Sequence, residues 1–257
     1  MMPALKNIRE LQLKPKHYGW VQGLYLAGND CGIAMRLLDG QDYEPESRKL
    51  WRSLCKDAKI AIDVGAHTGI YSLDGWKAGA KEVLSFEPYH INYARLVMNL
   101  RYSGIDATYS MFCALSDING ITAVVVRAPN HYCSAGAHLG YDPLVGHKTH
   151  DSGEFPVYVR TLDSLIAEEH RSGIKVVKID TEGHGLRVLK GMSEILLHQP
   201  DLILECIEEG MGEFLKPFGY KFYRIHEKTG LHAVDRLLPD NPVDMQSPNR
   251  FATVRSL

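Results

Sequence analysis

The chain has 257 residues, 45% of them apolar, which suffices for one domain with a substantial buried core. The 29 Lys and Arg residues nearly balance the 31 Asp and Glu residues, so the formal charge of −2 provides no field that would attract nucleic acid or anionic lipid. The five cysteines are scattered and odd in number, which argues against a disulfide framework and a thiolate zinc site and favours a reducing compartment.

The N-terminal segment lacks the apolar core of a signal peptide, and no stretch approaches the ~18 apolar residues of a membrane span. We therefore expect a soluble cytoplasmic protein with neither a membrane nor a nucleic acid as partner. Residues 1–45 are expected to form an arm or cap, with helical character, and residues 46–257 to form one domain.

From residue 59 onward, short β-branched runs alternate with segments of helical spacing, which is typical of a doubly wound, mostly parallel α/β sheet. The first elements are, in chain order, a strand at 59–64 (KIAIDV), a helix at 69–79, a strand at 82–88 (EVLSFEP), a helix at 89–103 and a strand at 107–115 (ATYSMFCAL).

Two later apolar runs, 174–180 (IKVVKID) and 201–207 (DLILECI), predict a fourth and a fifth strand with a helical segment between them. Three further strands are expected to be antiparallel and to lie at the sheet edge, as is common in mostly parallel sheets. They are 121–126 (ITAVVV), 155–160 (FPVYVR) and 251–257 (FATVRSL).

Residues 127–153 have no sustained periodicity and are rich in Gly, His, Asn and Ser, so we interpret them as a lid loop over a substrate. Tyr132 and Tyr141 are candidate substrate contacts in this lid. Its histidines match no familiar spacing of metal ligands, so no metal site is predicted. These histidines are His131, His138, His147 and His150.

The segment 63–69 (DVGAHTG) follows the first strand and places glycines where the backbone can pass close to a ligand. Its GxxxG spacing differs from the GxGxxG typical of dinucleotide sites. Asp63 adds a negative charge that favours a cationic or amino-bearing ligand. Glu87 ends the second strand, where a carboxylate can accept hydrogen bonds from both ribose hydroxyls. Together these features predict a pocket for S-adenosylmethionine.

Five segments, in this order, resemble the FkbM family of S-adenosylmethionine-dependent methyltransferases over about residues 43–207. They are AIDVGAHTGIYSL, VLSFEP, CALSDING, RTLDSL and VVKIDTEGHGLRVLKGM. The resemblance implies a class I methyltransferase fold with a seven-stranded Rossmann-like sheet and S-adenosylhomocysteine as product. It also implies that the acceptor is a hydroxyl on a small molecule, such as a sugar or a secondary metabolite.

The resemblance further implies which residues hold the cofactor. Glu87 would bind ribose, and the other positions would line the methionine end or flank adenine. The full candidate set is Asp63, Gly65, Ala66, His67, Thr68, Gly69, Glu87, Pro88, Ala114, Leu115 and Ser116. The family pattern has asparagine at the position of His67, and alanine and glutamate at the positions of His184 and Gly185.

Methyl transfer to a hydroxyl requires an aligned acceptor and a base that removes its proton. Asp180, Glu182 and His184 follow the fourth strand, where ligands bind in open α/β sheets, and an extended segment would put them on one face. We predict His184 or Glu182 as the base and Asp180 as a cofactor or orienting group. The alternative is that Asp180 and Glu182 hold the turn and cap the next helix.

Three other functions are compatible with this sequence. An N-methyltransferase would share the cofactor motifs, an NAD-dependent oxidoreductase would use a related fold, and a non-catalytic binding module is the third. The segment ECIEEGMGEFL, from Glu205, has paired acids like the double-glutamate loop of protein arginine methyltransferases, but the rest of that pattern is absent.

Overall fold

A mixed β-sheet forms the centre of the protein in a computed structural model, which describes residues 18–21, 24–27, 31–127, 138–139, 152–205, 207–238 and 246–257. The strands are β1 (Tyr18–Val21), β2 (Leu24–Ala27), β3 (Ile60–Val64), β4 (Glu82–Phe86), β5 (Ser110–Met111), β6 (Ala114–Leu115), β7 (Gly120–Arg127), β8 (His138–Leu139), β9 (Ser152–Arg160), β10 (Ile174–Ile179), β11 (Asp201–Glu205), β12 (Lys221–His226), β13 (Gly230–Val234) and β14 (Asn249–Thr253). The helices are α1 (Gly32–Leu38), α2 (Pro45–Cys55), α3 (Ile70–Ala78), α4 (His90–Tyr102), α5 (Leu162–Leu165), α6 (Glu168–Arg171), α7 (Gly185–Lys190), α8 (Ser193–Leu196) and α9 (Met211–Leu215).

The central sheet has eight strands in the order β13-β12-β14-β11-β10-β3-β4-β5. Five neighbouring strands of this sheet, β11, β10, β3, β4 and β5, are parallel, whereas β14 is antiparallel to both of its neighbours. The predicted α/β class and mostly parallel core are therefore confirmed, but the count of seven strands is wrong. A turn at residues 227–229 folds β13 back against β12 and adds an eighth strand at the edge.

The predicted strand at 251–257 is antiparallel as expected, but it lies between β11 and β12 and not at an edge. The predictions for 121–126 and 155–160 are wrong in their sheet, because β7 and β9 pair with each other in a separate sheet of order β6-β9-β7-β8. The predicted strand at 107–115 is also divided, since β5 joins the central sheet and β6 joins the smaller one. An apolar run indicates burial, but it does not reveal which sheet the backbone pairs with.

Both faces of the central sheet are covered. Every residue of β3 is buried, although successive side chains of a strand point to opposite faces. Ile60, Ile62 and Val64 pack in the large core that includes α7 and α8. Ala61 packs on the other face with Trp51 of α2. This layering confirms the doubly wound arrangement.

The switch in strand order lies between β3 and β10, since the chain leaves β3 toward β4 and later returns on the other side. A crevice opens beyond the carboxyl ends of such strands. Gly65 (φ +79) directly follows β3, and a Cβ there would lie 1.7 Å from the backbone oxygen of Asp180. Only glycine allows the backbone to approach this closely, so the turn after β3 packs directly against the end of β10.

The N-terminal region contains the antiparallel hairpin β1–β2 and then the helix α1, and the expectation of an arm or cap stays a prediction. Residues 1–17, 22–23 and 28–30 lie outside the described part of the chain. The boundary at residues 45 and 46 stays a prediction. Within the described ranges, no helix is both long enough and apolar enough to cross a membrane.

Most of the predicted lid, 127–153, lies outside the described residues, which here include only Arg127, the backbone of β8 and the start of β9. The lid residues proposed as substrate contacts or considered as metal ligands lie outside as well, apart from the backbone of His138. They are His131, Tyr132, Tyr141, His147 and His150. The role of this segment stays a prediction.

Candidate active site

A cavity of about 160 Å³ lies at the carboxyl ends of the parallel strands, bounded by residues that follow β3, β4, β10 and β11. Nine of the residues singled out from the sequence line it, and they come from four separate segments of the chain. They are Gly65, His67, Glu87, Pro88, Ala114, Leu115, Asp180, Glu182 and His184. The fold thus brings these nine predicted residues to one place.

The remaining cofactor candidates do not line this cavity. Asp63 and Ala66 line a smaller adjoining cavity of about 30 Å³. Thr68 is buried, and its hydroxyl lies 3.2 Å from the Cys31 thiol. Gly69 (φ +94) begins α3, and a Cβ there would lie 2.6 Å from Leu96. These positions shape the turn around the cavity, and their roles in cofactor binding stay predictions.

Glu87 is placed and oriented by the backbone around it. Its Oε2 accepts a hydrogen bond from the backbone N–H of His67, and its Oε1 accepts one from the N–H of Tyr89, both at 2.8 Å. Burial raises the pKa of Glu87 to about 7, against the opposing effect of these two hydrogen bonds. Oε1 also accepts a hydrogen bond from Asn92 Nδ2 at 3.5 Å, whereas Oε2 keeps a lone pair with which the carboxylate can accept a hydrogen bond from a ligand.

Asp63 is 1% exposed and lies behind the first turn. It accepts a hydrogen bond from Ser72 Oγ at 2.6 Å, and Ser72 in turn accepts one from Ser85 at 2.8 Å. Burial raises the pKa of Asp63 to about 6. The Asp63 carboxyl therefore connects β3 to α3 and β4 beneath the site.

A buried lysine supports the end of β10. Lys178 is 2% exposed, and its Nζ lies 2.7 Å from Asp180 Oδ2 and 3.8 Å from Glu205 Oε2. The ammonium also lies 4.4 Å from the ring centroid of Tyr71, in a cation–π contact. Burial opposes the charged form of Asp180, but the charge of Lys178 and the hydrogen bonds from Glu205 and Lys178 together lower the pKa of Asp180.

His184 lies at the start of α7 and is held by a chain of polar contacts. Its Nε2 lies 2.9 Å from Ser116 Oγ, and Ser116 donates its hydroxyl proton to Asp117 at 3.0 Å. Arg187 lies 3.3 Å from the same carboxylate oxygen. Burial, followed by the charge of Arg187, lowers the pKa of His184. The imidazole is therefore neutral at neutral pH and able to accept a proton.

The backbone after β10 turns and is not extended. The expectation that an extended segment puts Asp180, Glu182 and His184 on one face is therefore wrong. Glu182 (φ +51) and Gly183 (φ +87) both adopt left-handed conformations. The side chains of Asp180, Glu182 and His184 still reach one cavity. Glu208 Oε1 accepts a hydrogen bond from the N–H of Leu186 at 3.0 Å, so a carboxylate after β11 supports the first turn of α7.

Several lining residues were not assigned a role in the cofactor or catalytic site from the sequence, among them Ile33, Tyr43, Cys113 and Glu205. Glu205 is the last residue of a parallel strand, and Asp180 directly follows another. Ligands bind beyond the carboxyl ends of such strands, so the argument that predicted Asp180 also applies to Glu205. Ile33 and Tyr43 precede the first parallel strand, where no pattern indicates a ligand site.

Tyr43 is held over the cavity by the residue that follows it. Glu44 adopts a left-handed conformation (φ +44) just before α2. Its Oε2 accepts hydrogen bonds from the Tyr71 hydroxyl and, at 3.0 Å, from Asn249 Nδ2. Burial, together with the charge of Glu44, raises the pKa of Tyr43. The Tyr43 phenol therefore stays protonated at all pH values of interest.

Several solved structures of methyltransferases are similar to this chain. The structure is similar to a S-adenosylmethionine-dependent methyltransferase from Agrobacterium tumefaciens (12% identity, 93% of this chain and 70% of that one, TM-score 0.44). It is also similar to a putative RNA methyltransferase from Pyrococcus horikoshii (16%, 85% and 86%, 0.38) and to the O-methyltransferase from Bacillus cereus in complex with S-adenosylhomocysteine (10%, 83% and 83%, 0.39). A search of curated proteins finds no match.

The family comparison covers most of the chain. The model of the methyltransferase FkbM domain matches residues 63–228, which include the turn after β3, Glu87 and the three acid–base candidates after β10. The match begins at the strand-terminal acid and ends beyond β12. The chain therefore belongs to the FkbM family of S-adenosylmethionine-dependent methyltransferases.

Proposed function

We propose that the protein transfers the methyl group of S-adenosylmethionine to a hydroxyl of a small molecule, and that His184 is the base. The observation that carries this proposal is the neutral imidazole of His184, which lies just before α7 and lines the same cavity as Glu87 and Asp180. A hydroxyl is a poor nucleophile until its proton is removed, whereas a neutral imidazole can accept that proton.

The residues around the cavity fit the cofactor. Glycine at position 65 leaves space that a Cβ would close against Asp180, and Glu87 presents a fixed carboxylate for ribose hydroxyls. Ala114 and Leu115 offer apolar surface to the adenine ring of the cofactor. When bound, S-adenosylmethionine supplies an electrophilic methyl group, and the remaining task of the protein is to align the acceptor and move its proton.

The contacts of His184 indicate which nitrogen acts. Ser116 donates its single hydroxyl proton to Asp117, so it can only accept from His184. In the neutral ring the proton therefore resides on Nε2, and Nδ1 is the basic nitrogen. We infer that Nδ1 removes the acceptor proton and that Asp117, acting through Ser116, stabilises the imidazolium that forms.

The near-neutral charge of the chain supports a small-molecule acceptor over a nucleic acid. The scattered, odd-numbered cysteines favour a reducing compartment, so we also propose a cytoplasmic protein. A second candidate is methylation of an amine. It is favoured by the carboxyl groups of Asp180 and Glu182, which line the cavity and attract an amine that is protonated in solution.

The test is transfer of a deuterated methyl group from S-adenosylmethionine to matched pairs of small acceptors that differ only in a hydroxyl or an amine. We expect mass gain on hydroxyl acceptors and its loss in His184→Gln. The exposed His198→Gln serves as the matched control. Transfer to amines alone, or full activity of His184→Gln, would contradict the proposal.

A further inference from the structure

One buried ammonium is surrounded by more carboxyl groups than it can neutralise. Lys178 on β10 is paired with Asp180 at 2.7 Å, and Glu205 at the end of β11 lies farther away at 3.8 Å. Asp63 on β3 is the register partner of Lys178 and is fully buried. Glu44, which precedes α2, is the fourth carboxyl group and is connected to the cluster through Tyr71.

The described residues of the neighbouring elements place several other polar and charged groups around Glu205. On β14, Asn249 is its register partner, and the adjacent Arg250 donates to the backbone carbonyls of Ser247 and Asn249. On the cavity side lie the protonated phenols of Tyr43 and Tyr71, and His67, whose charge acts on Asp180. Lys178 is the cation whose positive charge opposes the rise in the pKa of Glu205.

Burying several negative charges beside one positive charge is unfavourable unless a carboxyl group takes up a proton. Glu205 is the group whose position favours this, because Asp180 holds the short contact to Lys178 and Glu205 Oε2 has no hydrogen-bond partner. Burial, followed by the negative charge of Asp180, raises the pKa of Glu205 well above its usual range. The protonated carboxyl then donates a hydrogen bond to Asp180.

We propose that Glu205 distinguishes the charged methyl donor from its neutral product: its carboxyl group is protonated in the ligand-free protein and releases that proton to solvent when a sulfonium cation enters the cavity. This inference rests on the proposed use of S-adenosylmethionine. It follows from electrostatics, because a cation beside Glu205 favours the carboxylate. After transfer the sulfur is a neutral thioether, so Glu205 takes a proton back and the attraction for the product weakens.

The test is isothermal titration calorimetry of the full chain with S-adenosylmethionine, S-adenosylhomocysteine and sinefungin, which carries an amine in place of the sulfonium. Each titration is repeated at pH 7 in buffers of different ionisation enthalpy, and the slope gives the protons released. The donor and sinefungin are expected to release up to about one proton more than S-adenosylhomocysteine. Glu87 contacts a part common to all three ligands, so its contribution cancels in the difference.

Glu205→Gln keeps the shape of the side chain and removes the titrating group, so the donor and product are then expected to release equal numbers of protons. Glu209→Gln, an exposed position on the segment that follows β11, is the matched control and should keep the difference. Equal proton release in the wild type, which needs no variant to fold, would overturn the proposal, as would a difference that persists in Glu205→Gln. Absence of binding by all three ligands would overturn it together with the donor assignment.

Discussion

The Nε2 atom of His184 lies 2.9 Å from the hydroxyl oxygen of Ser116, and Ser116 donates its proton to Asp117. This chain joins the start of α7 to the segment that follows β6, two parts of the protein that are 68 positions apart. It fixes the protonated nitrogen of the ring, so the orientation of the proposed base depends on residues that need not touch a substrate.

We expect His184→Gln to lower kcat by about 10²–10⁴-fold, the range for loss of a general base. Asp117→Asn should lower kcat by about tenfold, the scale of one hydrogen bond, and should shift the acidic limb of the pH–rate profile to lower pH because the imidazolium loses a stabilising charge. Steady-state kinetics across pH 5–9 measure both effects. An unchanged pH profile in Asp117→Asn would contradict the orienting role.

Glu87→Ala should weaken the binding of S-adenosylmethionine by about 1.5–3 kcal/mol, since it removes hydrogen bonds to a charged group. That loss corresponds to a rise in Kd of roughly 10–150-fold. Glu82→Ala, at the opposite end of the same strand, is the control and should bind normally. Equal affinities of the two variants in calorimetry would refute the ribose assignment.

The affinity for S-adenosylhomocysteine should depend on pH through Glu87. Hydrogen bonds from ribose hydroxyls favour the carboxylate, and the pKa of Glu87 in the free protein is raised to about 7 by burial. A proton must therefore leave below that pH, so Kd should be flat above it and rise by about tenfold per pH unit below it.

Glu87→Gln should flatten this dependence, while any contribution of Asp63, whose pKa is raised to about 6, stays the same in both proteins. Calorimetric titrations between pH 5.5 and 8.5 give the comparison. A dependence that survives in Glu87→Gln would assign the titration to another group.

Gly65→Ala should abolish cofactor binding and destabilise the protein by about 3 kcal/mol or more, because the new Cβ meets the Asp180 carbonyl at the crossing of two strands. Gly104→Ala is the matched control: its φ of +77 nearly equals the +79 of Gly65, but its Cβ would meet no atom within 4 Å. That variant carries only the left-handed backbone penalty of about 1–2 kcal/mol. Urea unfolding of both proteins separates clash from backbone strain.

Asp74→Ala should destabilise the protein by about 3–5 kcal/mol, the effect of leaving a buried partner charge unpaired. Asp74 on α3 accepts from Arg48 Nε at 2.7 Å and from Arg52 at 3.0 Å, and it is 2% exposed. Glu213→Ala removes the exposed pair with Lys216 and should change stability by less than about 1 kcal/mol. Similar unfolding midpoints for the two variants would contradict this assignment.

The parallel core was readable from the sequence because each of its strands is an apolar run of strand length between helical segments. β3, β4, β10 and β11 are found where the runs predict them. The sequence did not show that β5 and β6 are two separate strands. Each pairs over only two residues, and such a short pairing depends on which strand the final fold places beside it. The extra strand β13 is exposed along its middle and only half-buried at its ends, so it has no apolar signal.

The site was readable to the same extent. Side chains that follow a parallel strand, such as Glu87 and His184, are predictable because the carboxyl ends of these strands share one edge. Tyr43 was not, since it reaches the cavity through contacts that depend on the final fold. Neither the role of Ser116 toward His184 nor the charge excess around Lys178 has a local sequence pattern, because their partners come from other strands.

The hydrogen bond between Glu44 and Asn249 joins residues that are 205 positions apart. All FkbM-family segments quoted above lie between these two residues, so a ribosome completes them before Asn249 is synthesised. Until then, the wall that carries Tyr43 lacks its anchor on β14. A nascent chain that already contains the whole donor-binding sequence thus has an incompletely anchored pocket wall, and the last strand of the sheet completes it.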